Sequence, residues 1–325
     1  MPDLVAIGRA GVDFYSLDLG VPLEQAAKFA KYLGGTAANT VVGGARLGLS
    51  CSLVTRVSDD ELGAFVVSYL EKEGVDVSRV KKDRERKTGI VFAEVLPGRD
   101  GRFIFYRENV ADLQVTKRDV GKSLLKDTRA LLITGTGLSS EPSLSTVLDA
   151  AKSARALGKK VILNLDCRPT LWRVRDAERI SRYGKAIKEA DVLVGNDKEY
   201  MAAAGKADIR SALSAIPGGG DKMVAVTRGE AGSEVRVGGR VYTAKGFKVP
   251  MVKGLGGGDG FIAGFIFGHL SGWSPKESAT FGNAVGAIVV TGHSCSESMP
   301  RLPQVISFLR KNGYSFDGVT GPIKP

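Results

Sequence analysis

The sequence predicts an α/β fold, in which helices cover both faces of a doubly wound, mostly parallel sheet and a second, smaller sheet lies beside it. From about residue 117, short apolar runs alternate with segments of helical period, a pattern typical of a parallel sheet. Residues 9–35 and 85–111 instead contain strands that do not fit this alternation. The chain has 325 residues, 43% of them hydrophobic, which suffices for a large core.

The elements of the larger sheet are predicted from local patterns. Short apolar runs are typical of buried parallel strands, and apolar residues three and four apart are typical of helices. Gly48 and Gly74 each mark the end of a predicted helix. The predicted strands are residues 4–8, 52–57, 130–134, 161–166, 191–195 and 223–227, followed by a hairpin of 235–237 and 241–243. The predicted helices are residues 34–47, 59–73, 143–157, 177–189, 260–270, 275–290 and 302–311.

The smaller sheet is predicted from strands at residues 11–18, 28–33, 88–96 and 102–106. Polar and apolar residues alternate in 11–18, which suits a half-exposed strand, and the turn between the last two segments contains Pro and Gly, which favours a hairpin. We therefore expect a Rossmann-like core of residues 1–8, 36–84 and 112–325. Residues 9–35 and 85–111 would form a lid over the carboxyl ends of the core strands.

Composition excludes several classes of function. The formal charge of +11 suggests acidic partners, but the basic residues are scattered and aromatic residues make up only 7%, so we expect no nucleic-acid partner. No apolar run is long enough to span a membrane, and the first residues show no basic and apolar regions of the kind found in a signal peptide. Three cysteines without metal-ligand spacing favour a cytoplasmic protein, and two histidines make a histidine-based mechanism improbable.

The most informative stretch is residues 253–265, where a glycine run opens into an apolar helix. Backbone N–H groups at such a helix start favour an anion, and Gly256, Gly257 and Gly258 are the candidates that would stabilise it. Asp259 follows them and could act as the base for an attacking hydroxyl group if the anion is a phosphoryl group in transfer. The alternative for Asp259 is a simple helix-capping acid.

Short motifs across essentially the whole chain resemble those of the ribokinase-like (PfkB) carbohydrate kinases. Gly34-Gly-Thr-Ala-Ala-Asn39 and Gly256-Gly-Gly-Asp259 are similar to the two signatures of that family. Asn196-Asp-Lys-Glu199 matches its Asn-x-x-Glu motif, and Thr227-Arg-Gly-Glu-Ala-Gly232 resembles its nucleotide-binding segment. The resemblance implies a ribokinase-like fold and transfer of the γ-phosphoryl group from ATP, with Mg²⁺, to a sugar hydroxyl group.

The same resemblance assigns residues to the nucleotide and the metal ion. Glu199 is expected to act on Mg²⁺ through water, because Mg²⁺ keeps several of its waters in proteins. Without the resemblance, Glu199 and Asn283 would be interpreted as ordinary polar residues of helices. The residues expected to bind the nucleotide are Asn196, Thr227, Gly229, Gly232, Lys253 and Asn283.

Four further stretches resemble one subgroup of the family, the 5-dehydro-2-deoxygluconokinases of inositol catabolism. They are residues 8–13, 106–113, 165–172 and 293–300. The resemblance implies a six-carbon sugar acid as substrate, phosphorylated on a primary hydroxyl group. Arginines after apolar strands could hold its carboxylate in a bidentate pair, or could form surface ion pairs instead. The candidate substrate-binding residues are Asp13, Gly34, Gly35, Asn39, Arg107 and Arg168, with Arg9 as a weaker candidate.

Two other functions stay open at this point. A 2-keto-3-deoxygluconate kinase would act on a similar keto acid and would use the same arginines. A non-catalytic sensor of sugars or nucleotides could share the scaffold, because fold alone does not fix function, although a sensor would not need a base at Asp259.

One departure from the family pattern concerns a monovalent cation. Many members carry an Asp-Thr pair ahead of the glycines, and that Asp helps to bind the cation, whereas this chain has Lys253 and Gly254 there. We expect the ammonium group of Lys253 to supply a fixed positive charge in place of potassium.

The unpaired edges of the lid sheet also suggest a homodimer formed through the lid.

Overall fold

The computed structural model describes residues 1–98, 101–216 and 222–315. Its strands are β1 (Leu4–Ile7), β2 (Gly11–Ser16), β3 (Phe29–Gly34), β4 (Cys51–Ser58), β5 (Val80–Asp83), β6 (Ile90–Ala93), β7 (Phe103–Tyr106), β8 (Ala130–Thr134), β9 (Lys160–Asn164), β10 (Val192–Asn196), β11 (Met223–Thr227), β12 (Ser233–Val237) and β13 (Arg240–Ala244). Its α-helices are α1 (Thr36–Leu47), α2 (Glu61–Lys72), α3 (Lys117–Val120), α4 (Lys122–Lys126), α5 (Ser143–Ala156), α6 (Asp176–Glu189), α7 (Asp197–Ala204), α8 (Ile209–Ser214), α9 (Gly257–Leu270), α10 (Pro275–Val290) and α11 (Leu302–Lys311).

The larger sheet has nine strands in the order β13-β12-β11-β10-β9-β8-β1-β4-β5. The strands from β11 to β5 run parallel, and the β12–β13 hairpin adds an antiparallel edge. The chain leaves β1 for β4 on one side and returns to β8 on the other. Strand order therefore reverses at β1, and the crevice beside such a reversal is where ligands bind in open α/β sheets.

Helices cover both faces of this sheet, which explains why its parallel strands are apolar along their whole length. Alternate residues of β1 belong to different cores, since Leu4 and Ala6 pack with α1, α2, α9, α10 and α11. Val5 and Ile7 pack with α5, α6, α7 and α8 on the opposite face. The predicted α/β class with helices on both faces is confirmed.

The smaller sheet has four strands in the order β3-β2-β6-β7 and is separate from the larger one. Its β2–β3 and β6–β7 pairs are antiparallel, as the predicted hairpin requires, but β2 and β6 run parallel. The turn between β6 and β7 includes residues 99–100, which lie outside the described residues. We call this sheet the lid. The division into core and lid at residues 9–35 and 85–111 stays a prediction.

Several local expectations were wrong. β5 was missed, because its sequence Val-Lys-Lys-Asp has the polarity of an edge strand and looked like solvated charge. The α7 and α8 helices between β10 and β11 were also missed, since both are short. β2 is mostly buried and not half-exposed, because one face packs on the core and the other lines a cavity.

Among the described residues, no helix is long and apolar enough to cross a membrane.

Candidate active site

A cavity of about 320 Å³ lies between the lid and the carboxyl ends of the parallel strands. We call it the lid-side cavity. Core residues that line it follow β1, β9, β10 and β11, and lid residues come from β2, β6 and β7. They include Arg9, Asp13, Tyr15, Asn39, Val91, Phe103, Phe105, Asn164, Asp166, Arg168, Asn196, Glu199, Thr227, Gly256, Gly258, Asp259 and Cys295.

The glycine run forms the start of α9 and lies at the edge of this cavity. Gly256 caps the helix with a φ of 82°, a left-handed conformation that L side chains rarely adopt. The helix begins at Gly257, three residues earlier than predicted, so the first-turn N–H groups point out of the helix end. A methyl group added to Gly258 would meet no atom within 4 Å. Packing within the protein therefore does not explain this glycine, whereas a group bound in the open space would.

Asp259 lies in the first turn of α9, and one of its oxygens accepts a hydrogen bond of 2.7 Å from the amide of Asn39. Desolvation raises the pKa of Asp259, and the nearby Asp166 carboxylate raises it further. The bond from Asn39 and the guanidinium groups of Arg168 and Arg9 oppose that rise. A carboxylate with a raised pKa is a stronger base, which suits removal of a proton from a hydroxyl group.

Two guanidinium groups face the lid-side cavity. Arg9, directly after β1, is buried, and Arg168 follows β9 and donates a hydrogen bond of 3.1 Å from Nε to Asp166. Both approach the ring of Phe105 in the lid, at 6.0 Å from Arg9 and 5.8 Å from Arg168. The aromatic face and Asp166 together hold two positive charges near each other, an arrangement suited to an anionic group.

Four buried polar atoms of this cavity have no hydrogen-bond partner among the described residues. They are Arg9 Nε, Asp13 Oδ1, Asn39 Oδ1 and Asp166 Oδ2. Burial also raises the pKa of Asp13, although the charges of Arg9, Arg168 and Arg107 oppose that rise. Because buried polar groups are nearly always paired, donors and acceptors gathered in one cavity indicate a polar ligand such as a sugar.

Three other residues predicted to bind substrate do not line this cavity. Arg107 forms a buried bidentate pair with Asp112, with N–O distances of 3.0 and 2.7 Å, so its guanidinium group already has a carboxylate partner. Gly34 allows close approach of Asp13, whose carboxylate would overlap an added Cβ at 2.0 Å. Gly35, at a φ of 106°, packs against the backbone of Arg9. Their roles in substrate binding stay predictions.

A second cavity of about 480 Å³, the helix-side groove, lies on the other side of Gly258. It shares Asn196, Thr227, Gly254 and Gly258 with the lid-side cavity. Its apolar wall suits a planar aromatic group and consists of Phe247, Val249, Met251, Phe261, Ala287 and Val290. Each residue predicted to bind nucleotide lines this groove, except Lys253.

The polar rim of this groove is held by backbone contacts. Gly229 and Gly232 have φ values of 55° and 94°, so the loop after β11 turns in a way that favours glycine. Asn283 on α10 donates to the carbonyl oxygens of Ala244 and Lys245, at 3.2 and 3.1 Å. The Asn283 amide therefore holds the end of β13 against the groove.

Asn196 and Glu199 form a capping box at the start of α7, where each side chain accepts a hydrogen bond of 2.9 Å from the backbone N–H of the other. Desolvation and the Asp166 carboxylate raise the pKa of Glu199 from 4.5 to about 7. No three carboxylate, histidine or cysteine side chains in the described parts of the chain gather as a metal site. Glu199 and the unpaired Asp166 oxygen nevertheless fit a magnesium ion that keeps most of its ligands from water and phosphate.

Lys253 is buried behind the glycine run and lines neither cavity. Its ammonium group donates hydrogen bonds to the carbonyl oxygens of Leu255 at 2.6 Å and Val289 at 3.3 Å. Desolvation lowers the pKa of Lys253, and the negative charge of Asp259 opposes that shift. The lysine thus places a positive charge on carbonyl oxygens beside the start of α9.

Sequence reasoning missed several residues that line the lid-side cavity. Asp166 is the most important, with a positive φ of 34° and a buried carboxylate near Arg168, Glu199 and Asp259. It belongs to the 165–172 stretch, where a search for acids at strand ends would have found it. Cys295 lies in the 293–300 stretch but was not singled out, and Tyr15 carried no signal, because the two residues meet only through tertiary contacts.

Comparisons with known proteins identify the family and the fold. The chain matches the pfkB family carbohydrate kinase profile over residues 1–302. It is 36% identical over 316 residues to a 5-dehydro-2-deoxygluconokinase of Clostridium perfringens, covering 95% of this chain and 93% of the relative. Solved structures of other proteins share its overall fold.

One such structure is an uncharacterized sugar kinase from Pyrococcus horikoshii in complex with ATP, with a TM-score of 0.83 and 25% identity, covering 97% of this chain and 98% of that one. Another, described as a ribokinase II from E. coli in complex with ATP and Mg²⁺, has a TM-score of 0.84 and 23% identity, covering 96% and 100%. The ribokinase-like fold predicted from the motifs is confirmed. This chain belongs to the pfkB family of carbohydrate kinases.

Proposed function

We propose that the chain transfers the γ-phosphoryl group of MgATP to a primary hydroxyl group of a six-carbon sugar acid, 5-dehydro-2-deoxygluconate. The observation that carries the proposal is one cavity with a desolvated carboxylate, a glycine-rich helix start and two guanidinium groups. The 36% identical relative of that name supports the substrate. ATP would occupy the helix-side groove, whose apolar wall suits a planar base. Use of ATP is supported by the sugar kinase from Pyrococcus horikoshii, which is described in complex with ATP.

In the proposed reaction, Asp259 accepts the proton of the sugar hydroxyl group. Asn39 holds one oxygen of the carboxylate and leaves the other for the substrate. As the proton moves, the sugar oxygen forms a bond to the γ-phosphorus atom, and the bond to the β-phosphate oxygen breaks. ADP leaves with the bridging oxygen, and the proton stays on Asp259 until solvent removes it.

The first turn of α9 supplies the donors for the transferring group. N–H groups of Gly256, Gly257 and Gly258 would stabilise negative charge on the phosphoryl oxygens, with the helix dipole adding to their effect. Lys253 fixes the loop by holding the carbonyl oxygen of Leu255. These donors are in place before the substrate binds, so little reorganisation accompanies the reaction.

Glu199 and Asp166 are the residues that would hold Mg²⁺, Glu199 through water. The ion, when bound with ATP, neutralises charge on the phosphate oxygens. Asn196 orients Glu199 through the capping box, and Asp166 keeps its second oxygen unpaired within the described structure.

Arg9 and Arg168 would bind the carboxylate of the sugar acid, while Asp13 and Asn39 would accept or donate hydrogen bonds to its hydroxyl groups. The test is ADP release with MgATP across 5-dehydro-2-deoxygluconate, 2-keto-3-deoxygluconate, gluconate, ribose, fructose and adenosine. The proposal predicts the highest kcat/KM for the first. Turnover only with neutral sugars would overturn the carboxylate roles of both arginines.

A 2-keto-3-deoxygluconate kinase is the second candidate, since its substrate offers the same cavity a carboxylate and a primary hydroxyl group. Preference for that acid would keep the mechanism and the roles of the arginines. Failure to phosphorylate any compound of the panel would favour the non-catalytic sensor instead.

Association and compartment belong to the same proposal. The outer face of the lid exposes Ile104 at 47% and Tyr106 at 61%, and β3 and β7 are its edges. We expect a homodimer through the lid, and sedimentation as a monomer at micromolar concentration would exclude it. All three cysteines are free thiols, which suits the reducing cytoplasm.

A further inference from the structure

The segment of residues 293–296, after α10, belongs to the 293–300 stretch singled out in the sequence, and the proposed mechanism gives it no role. It connects the lid to the start of α9. Four of its contacts reach two neighbouring strands of the lid, the inner strand β2 and the edge strand β3. They run from His293 to the Ser16 carbonyl oxygen at 2.9 Å, from His293 to Tyr32 at 3.0 Å, from Cys295 to Tyr15 at 2.9 Å and from Ser296 to the Leu33 carbonyl oxygen at 2.9 Å.

The tautomer of His293 follows from these partners. The carbonyl oxygen of Ser16 can only accept, so Nε2 carries the proton and donates to it. In the tautomer that carries its proton on Nε2, Nδ1 accepts from the hydroxyl group of Tyr32. The segment is thereby fixed to backbone and side chain of neighbouring lid strands, and a displacement of the lid would pull on it.

The opposite side of the segment rests on the glycine run. An added Cβ at Gly256 would lie 2.4 Å from the sulfur of Cys295 and 2.9 Å from its Cβ. Cys295 therefore packs directly on the backbone of the residue that caps α9. A shift of Cys295 would change the position of Gly256 and with it the direction of the N–H groups that follow.

A hydrogen-bonded chain joins this contact to the sugar end of the cavity. The hydroxyl group of Tyr15 lies 2.9 Å from the sulfur of Cys295 and 3.4 Å from an oxygen of Asp13. Tyr15 has one proton to donate, so the thiol donates to Tyr15 and Tyr15 donates to Asp13, as the ionised carboxylate can only accept. Burial raises the pKa of Cys295 to about 11, which keeps the thiol protonated for that role.

We propose that Tyr15 and Cys295 are positioning residues that couple engagement of the sugar by Asp13 and the lid to the geometry of the glycine run at Gly256. When Asp13 and the lid hold a sugar, the chain Asp13–Tyr15–Cys295 sets Gly256 for phosphoryl transfer. Breaking this chain should therefore impair sugar phosphorylation more than transfer of the phosphoryl group to water. The inference rests on the proposed phosphate-binding role of the glycine run.

The test is a double-mutant cycle of Tyr15→Phe and Cys295→Ala, with sugar phosphorylation and sugar-independent ATP hydrolysis measured for each protein. Loss of one neutral hydrogen bond corresponds to about 3- to 10-fold, so we expect each single variant to lower kcat for the sugar by that factor. KM for MgATP should not change. The double variant should be no slower than the slower single variant, because both substitutions break one chain.

Matched controls separate positioning from stability. Tyr200→Phe removes another buried tyrosine hydroxyl group, which bonds to the Ala225 carbonyl oxygen, and Cys51→Ala removes another buried thiol. Both should lower the melting temperature without changing the ratio of sugar phosphorylation to ATP hydrolysis. Cys295→Ser, which keeps a hydrogen-bonding group, should recover part of the loss and provides a milder variant if Cys295→Ala does not fold.

Additive effects of the two substitutions, a change in KM alone, or an equal fall in both reactions would overturn the inference. These outcomes differ from a failure of the proposed function, which would appear as undiminished turnover of Asp259→Asn in the same assay. Loss of turnover in Asp259→Asn together with additive effects at Tyr15 and Cys295 would reject the coupling alone.

Discussion

The lid-side cavity and the helix-side groove meet at Gly258 but are lined by different chemistry. The lid-side cavity gathers charged side chains from distant parts of the chain, and several of their polar atoms lack a partner among the described residues. The helix-side groove instead has an apolar wall and several glycines, with charged residues such as Lys198 and Arg228 also lining it. The difference indicates that one side selects its ligand through charge, while the other accepts a flat apolar group and phosphates.

The largest expected effect is at the junction of the two cavities. Asp259→Asn keeps the shape and the neighbouring Asn39 but removes the base, so kcat should fall by roughly 10²–10⁴-fold. KM for either substrate should change little, since the residue acts on the proton in transfer. Steady-state kinetics with the melting temperature as control will check this, and near-normal turnover would remove Asp259 from the role of base.

Gly258→Ala tests whether the open space beside α9 belongs to the ligand. The methyl group meets no protein atom, so folding should tolerate it and alanine should stabilise the helix by about 0.5–1 kcal/mol. Displacement of the phosphoryl group should lower kcat by about 10²-fold. Gly184→Ala in α6 is the matched control, because its added Cβ also meets no atom. Equal activity of the two variants would contradict our interpretation.

Arg168→Ala should affect only the lid-side cavity. Loss of a hydrogen bond to a charged group corresponds to about 1.5–3 kcal/mol, so KM for the sugar acid should rise by roughly 10–100-fold. KM for MgATP should change less, because Arg168 affects Mg²⁺ only through its bond to Asp166 and its charge near Glu199. Arg107→Ala should instead lower the free energy of unfolding by about 3–5 kcal/mol, because it leaves Asp112 buried without its partner. A rise in KM for the sugar acid with unchanged stability in Arg107→Ala would restore the substrate role predicted for that residue.

Acidification should weaken the binding of MgATP through Glu199 in the lid-side cavity. The ionised form of Glu199 is the one that would act on Mg²⁺, and its pKa is about 7, so KM for MgATP should rise as pH falls below that value, by about tenfold per pH unit. Without ligands, the stability of the folded protein depends on the charge of Glu199 in the opposite direction. The raised pKa favours the protonated folded form, so the contribution of Glu199 to stability is lost as pH rises from 4.5 to about 7.

Glu199→Gln should flatten the pH dependence of KM for MgATP and also that of stability. An unchanged pH dependence of KM for MgATP in that variant would exclude the role of Glu199 at Mg²⁺.

The smallest effect should come from exchange of monovalent cations. Because the ammonium group of Lys253 already occupies the carbonyl oxygens of Leu255 and Val289, activity should be unchanged when tetramethylammonium replaces K⁺ at constant ionic strength. The initial rate measures this directly. Clear activation by K⁺ would contradict the role proposed for Lys253.

Much of the fold was predictable because its signals are local. The buried parallel strands of the core are apolar along their length, and glycines end helices such as α1 at Gly48. The exceptions have a physical cause. β5 is an edge strand with exposed lysines, so its pattern lacks the apolar run of the central strands. α7 and α8 are too short for a helical period to be recognised.

The site was predictable in part. The motifs singled out Asp259, Asn39, Asp13 and Glu199, and the structure brings all four to the lid-side cavity, while their roles stay predictions. The sequence did not show which arginine faces the cavity, since Arg107 and Arg168 both follow apolar strands. Only the structure distinguishes Arg107, which is paired with Asp112, from Arg168, which faces the cavity beside Arg9.

The sequence by itself determined the class of the fold, the glycine run and the acid that follows it, because those features depend on neighbouring residues. Tertiary structure decided which charges share a cavity and which are neutralised elsewhere. It also brought Tyr15 of the lid to Cys295, 280 residues away in the chain. Such pairings depend on the strand order and on the packing of the lid over the core, and no local pattern of residues encodes the distance between two side chains.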